Sequence, residues 1–95
     1  MPEMRFVITW PDGHSEECYS PSLVIRDFLA EGESYSVADF LDRSRKALTI
    51  ASDRVEAKYG YPCSLARGQL ARIEHAAGAY LPDADARIRC ETFIF

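Results

Sequence analysis

At 95 residues, 47% apolar and 27% charged, the chain has the proportions of one globular domain spanning 1–95, which excludes disordered and fibrous classes. No apolar run reaches the ~18–20 residues of a membrane span, and Met1-Pro2-Glu3-Met4-Arg5 lacks the basic segment and apolar core of a secretory signal. The expectation is a soluble cytoplasmic protein with no membrane partner. A net charge of −4, with no basic run longer than Arg43-Ser44-Arg45-Lys46, argues against nucleic acid, because phosphate contacts supply most of that affinity.

The charge is unevenly spread. Residues 1–42 carry nine acids against Arg5 and Arg26, a net −7, while residues 43–95 carry nine bases and six acids, a net +3. Two arrangements account for this: a basic helix face beside an acidic hairpin, or a self-complementary surface for homo-oligomers. Cys18, Cys63 and Cys90 are an odd number without a Cys-x-x-Cys pair, which fits neither a disulfide framework nor a structural zinc site.

In chain order, Met4, Phe6, Ile8 and Trp10 alternate with Arg5, Val7 and Thr9, a strand with one apolar face. Pro11-Asp12-Gly13 is a turn, because Pro presets φ, Asp bonds local backbone and Gly supplies positive φ. His14–Tyr19 then returns antiparallel. Ser20-Pro21-Ser22 opens a short helix carrying Leu23, Val24, Phe28 and Leu29, although the β-branched Val24-Ile25 pair also fits an extended segment. Residues 30–35 read as a loop.

Ser36-Val37-Ala38-Asp39 caps the main helix. Its apolar stripe is Val37, Phe40, Leu41, Leu48, Ala51, Val55 and Tyr59, and Gly60-Tyr61-Pro62 stops it. A second helix from Ser64 turns Leu65, Leu70, Ile73, Ala77 and Leu81 inward and ends at Pro82. In the last segment Ile88, Cys90 and Ile94 point one way, and Arg87, Arg89 and Glu91 the other, joined by Phe93 and Phe95. So apolar a strand must pair with the hairpin or form a homodimer through Phe93, Ile94 and Phe95. The fold class is α+β, with a small antiparallel sheet packed against two main helices in the order β-β-(short α)-α-α-β.

Functional side chains are densest on the hairpin. Trp10, Asp12, Glu16, Glu17 and Tyr19 form a candidate partner-binding surface, since Trp and Tyr anchor interfaces; Trp10 equally suits a core position. Tyr35 and Tyr61 can extend that surface. Alternation also puts His14, Glu16 and Cys18 on one strand face, a second arrangement able to hold a metal. Glu16 and Glu17 face opposite ways and cannot act as an acid/base pair. Cys63 precedes a helix whose dipole can lower its thiol pKa, but the spacing names no base for a nucleophile. No phosphate loop or Ser-His-Asp signature occurs. These residues define no catalytic site and call for no cofactor.

Met1-Pro2-Glu3-Met4-Arg5-Phe6, Trp10-Pro11-Asp12-Gly13, Glu16-Glu17-Cys18-Tyr19-Ser20-Pro21-Ser22, Ser44-Arg45 with Ala47-Leu48, and Ala51-Ser52-Asp53-Arg54-Val55 together resemble a family of small bacterial nitrogen starvation response proteins. The resemblance runs from residue 1 to about residue 75. It implies a gene cluster encoding a nitrilase, a radical SAM protein, an acetyltransferase-like protein and a flavin-dependent oxidoreductase, associated with cyanide or nitrile assimilation. It supplies a pathway and candidate partner enzymes but no catalytic residues. The expected function is a non-catalytic accessory or regulatory protein acting through protein–protein binding. The alternative is a small metal- or thiol-dependent auxiliary enzyme of the same pathway.

Overall fold

The computed structural model describes residues 3–95. Seven elements follow in chain order: β1 (Met4–Thr9), β2 (Ser15–Ser20), α1 (Ile25–Phe28), β3 (Ser34–Ser36), α2 (Val37–Tyr59), α3 (Ser64–Gly78) and β4 (Arg87–Ile94). The strands form one antiparallel sheet in the order β2-β1-β4-β3. The helices cover one face, so the α+β class and the element order hold, with β3 added.

The period-2 pattern of β1 decides which face is covered. Met4, Phe6, Ile8 and Trp10 are all at most 1% exposed, and they meet Phe40, Leu41 and Leu48 of α2 and Ile73 and Ala77 of α3. Each large apolar side chain buried in this way contributes about 1.5–3 kcal/mol. At the hairpin turn Gly13 takes φ +95°, which only glycine adopts cheaply. The Ser36 hydroxyl accepts the Asp39 N–H at 3.2 Å and caps α2, as the sequence pattern predicts. Gly60, at φ +86°, ends that helix by giving its N–H to the Glu56 carbonyl.

The structure departs from the pattern in five places. The short helix starts at Ile25 rather than at Ser20, because Ser20, Pro21 and Ser22 are buried and engaged in a turn. In that turn the Ser20 hydroxyl donates to the Ser22 carbonyl, and the Ser22 hydroxyl oxygen accepts the Val24 N–H. The segment read as a loop continues into β3, where Tyr35, paired with Ile88, inserts its ring into the core and its hydroxyl oxygen accepts the Ala30 N–H. Helix α2 outruns the sheet, which leaves Val55 half-buried and Tyr59 53% exposed.

Helix α3 turns Ala66, Ile73 and Ala77 inward, while Leu65 lies one position off that stripe and is 65% exposed. The helix ends at Gly78, short of Pro82, and leaves Leu81 exposed in the turn beyond it. On β4 the register slips between Val7 and Ile8 of β1, so Glu91 is an extra residue. Such a bulge flips the alternation, and Phe93 turns toward the core opposite Phe6 while Ile94 turns out opposite Arg5.

The last strand is therefore central, with β1 on one side and β3 on the other. Beyond the end of β3, Glu31 takes its place, accepting the Phe93 N–H at 2.9 Å and the Thr92 hydroxyl at 2.7 Å. Glu31 thereby satisfies the edge backbone N–H of Phe93, while the Ile94 and Phe95 side chains stay exposed.

Candidate functional site

The hairpin tip is built around Trp10. Its N–H donates to the His14 carbonyl at 2.9 Å, and the Gly13 N–H donates back to the Trp10 carbonyl at 2.8 Å. The indole is stacked on His14 and on Tyr80, with centroids 6.3 and 6.0 Å away, and Phe40 meets it edge-on. Asp12 accepts the His14 backbone N–H at 3.0 Å and also pairs with the His14 ring. That backbone bond first, and the ring second, hold the Asp12 carboxyl below its usual range. Partial burial, followed by the Asp12 charge, pushes the Tyr80 hydroxyl up.

Behind the tip, the Trp10 indole N–H donates to Glu16 at 3.1 Å. Arg72 of α3 grips the same carboxylate with two bonds, of 2.8 and 3.1 Å. Glu16 is 14% exposed and Arg72 62%, so much of the charge attraction is screened, and the pair serves chiefly to orient the hairpin against α3. One base of α3 thus pairs with one acid of the hairpin.

The structure thus divides the residues singled out on the hairpin. Trp10 and Glu16 face inward and are used up in docking the hairpin, whereas Asp12 and Glu17 are exposed and Tyr19 is half-buried. Tyr35 lies in the core and Tyr61 is 64% exposed. His14, Glu16 and Cys18 take separate partners: His14 pairs with Asp12, Glu16 with Trp10 and Arg72, and Cys18 is fully buried. Among the described residues, no three His, Cys, Asp or Glu side chains converge on one point.

Burial first, and the Glu16 charge second, push the Cys18 thiol up to about 12. Burial and the Glu31 charge push Cys90 up to about 11. Both are poor nucleophiles. Cys63 differs, being half-buried at the N-cap of α3, where its N–H donates to the Ser52 hydroxyl oxygen at 3.2 Å.

At the opposite end of β2 the structure gathers Tyr19, Tyr61 and Cys63, each noted separately in the sequence, with residues that the pattern does not single out. Glu3, Tyr19, Pro21, Val55, Tyr59, Tyr61 and Cys63 line a cleft of about 280 Å³. Tyr19 also borders a second cleft of about 470 Å³, along with Arg5, Leu65, Gln69 and Arg72. The signal was present in Tyr59-Gly60-Tyr61: two large rings flanking a helix stop lie where the helix overhangs its sheet, and the overhang itself is a tertiary fact. A third groove, about 590 Å³ between α2 and α3, is floored by Leu48, Ala66 and Leu70 and rimmed by Asp53, Glu56, Arg67 and Glu74.

The fold and these clefts describe a small α+β protein whose candidate side chains are spread over the hairpin and the α2–α3 turn. Residues 5–93 match the family described as nitrogen starvation-induced protein NitG, and the chain belongs to that family. No curated protein and no solved structure matches it.

Proposed function

We propose that this protein is a non-catalytic accessory protein of the nitrogen starvation response. In this reading it acts in nitrile or cyanide assimilation by binding an enzyme encoded alongside it in a nitrilase gene cluster. Family membership supports the link to nitrogen starvation, and the resemblance of its sequence blocks supports the narrower pathway. The observation that carries the binding role is the docked hairpin. Trp10 and Glu16 lock it to α3, so Asp12, Glu17 and Tyr19 are presented on a fixed scaffold with little ordering entropy left to lose on association. In the same reading, self-association uses the exposed Ile94 and Phe95.

Purified cluster enzymes, the nitrilase first, are titrated against the wild-type protein and the Asp12→Asn and Glu17→Lys variants by calorimetry. Both substitutions are exposed and leave the core intact. Binding by wild type with a five-fold or greater loss in Glu17→Lys supports the reading. No heat with any cluster enzyme refutes it.

A further inference from the structure

The region around Tyr19 combines three features that the hairpin tip lacks. First, Tyr59, Tyr61 and Leu65, exposed by 53, 64 and 65%, lie within seven residues of one another at the α2–α3 turn. Scattered exposed apolar side chains are ordinary, but Tyr59 and Tyr61 pack on each other with ring centroids 6.5 Å apart, and grouped apolar side chains mark a contact surface. Second, this group borders the two clefts that meet at Tyr19, one walled by Val55, Tyr59 and Tyr61 and the other by Leu65.

Third, the lining of the larger cleft departs from the acidic balance of the whole chain. The protein carries −4, yet the larger cleft is lined by Arg5 and Arg72 and by no carboxylate. Arg72 is already held by Glu16. Arg5 lies 5.5 Å over the Tyr19 ring and Lys58 5.5 Å over the Tyr59 ring, and neither is in an ion pair among the described residues. Stacking keeps both cations beside the aromatic surface with their charge unneutralised. The carboxylate in the smaller cleft is Glu3; burial first, and then hydrogen bonding to Glu3 and its charge, push the Tyr19 hydroxyl up.

We propose that the paired clefts on either side of Tyr19 form a docking site for an acidic segment of a partner protein, one that lays an aromatic or aliphatic side chain against the packed Tyr59–Tyr61 pair and sets a carboxylate against Arg5. Charge complementarity selects this occupant: a basic segment meets Arg5, which no ion pair neutralises, and a purely apolar one leaves Arg5 buried and unpaired. Aromatic rings with adjacent arginine are the combination in which interface hot spots concentrate. The inference rests on the reading of this chain as a binding protein and adds a second surface, at the far end of β2 from the hairpin tip.

The test uses a fluorescein-labelled hexapeptide with a Phe-Leu centre flanked by glutamates, and its counterpart flanked by lysines. Each is titrated to 1 mM by anisotropy at low and high salt. The acidic probe should bind the wild-type protein at least ten-fold more tightly than the basic one and weaken with salt. Tyr61→Ser and Arg5→Gln should each weaken it about five-fold or more, and Asp12→Asn should leave it unchanged. Both variants are of exposed residues, and circular dichroism checks that they fold. Equal affinity for the two probes, no binding of either, or wild-type affinity in both variants overturns the proposal. Concentration-dependent dimerisation lost in Tyr61→Ser would assign the clefts to a second copy and also overturn it. If the peptide fails here while Glu17→Lys still abolishes enzyme capture, the hairpin reading stands and this one falls.

Discussion

Replacing Trp10 by Ala separates its two roles, as an interface anchor or as a core residue. The side chain is 1% exposed, packed against His14, Tyr80 and Phe40, and its N–H is satisfied by Glu16. A buried Trp removes roughly 200 Å² of surface from water, which at about 25 cal/mol per Å² gives about 5 kcal/mol as an upper value. Core Trp→Ala substitutions cost about 3–5 kcal/mol. The expected loss here is about 4 kcal/mol, a large share of the roughly 5–14 kcal/mol available to a domain of this size. Trp10→Phe keeps most of the packing and leaves Glu16 still paired with Arg72, so its loss should be about 1–2 kcal/mol.

Urea unfolding followed at 222 nm reads both variants. With a slope of about 1–1.5 kcal/mol per molar, Trp10→Ala should move the midpoint down by roughly 3 M. It thereby becomes an unsuitable control for partner capture, which is why the binding test uses exposed positions. A shift below about 0.7 M for Trp10→Ala would refute the core placement and return Trp10 to the surface.

Two further outcomes follow from the same geometry. Under native conditions at pH 8 a thiol reagent should modify Cys63 well ahead of Cys18 and Cys90. With Cys18 pushed up to about 12, roughly one molecule in ten thousand carries its thiolate, and the group is buried as well. Three equivalents reacting together without denaturant would contradict this. Glu31 is held below its ordinary 4.5, first by the Phe93 N–H and then by the Thr92 hydroxyl. A carboxyl lowered on folding contributes stability above its unfolded value, and that contribution is lost as pH falls through the folded one. Glu31→Gln should therefore melt below wild type at pH 7, and the gap should shrink as pH falls below about 4.5. A gap independent of pH would remove Glu31 as the charged cap of β4.

The parts of this fold legible in the sequence are those set by near neighbours. Alternation through Met4, Phe6 and Ile8 needs only the pleat, Gly13 needs only a turn, and Ser36 and Gly60 bracket α2 through bonds within four residues. The parts not legible depend on distant partners. β3 exists because Tyr35 meets Ile88, fifty-three positions away, and the exchange of Phe93 for Ile94 at the core face depends on a bulge opposite β1. Leu65 and Leu81 fit a helical period yet lie outside: Ala66 and Ala77 are the residues α3 buries, and Leu81 falls beyond its end at Gly78.

The same division applies to the candidate surfaces. The hairpin, the two long helices, the α+β class and the crowding of acids and rings onto residues 10–19 were legible in the chain alone, since each follows from local sterics or from counting. Which of those side chains face out was settled by packing between elements distant in the chain. Trp10 and Glu16 are drawn inward by Tyr80 and Arg72 from the other half of the chain, while Tyr59, Tyr61 and Leu65 are left in solvent where α2 and α3 run past the sheet. Periodicity says which residues share a face of an element, but burial requires something on the other side, and what lies there is set by contacts that close over fifty residues or more.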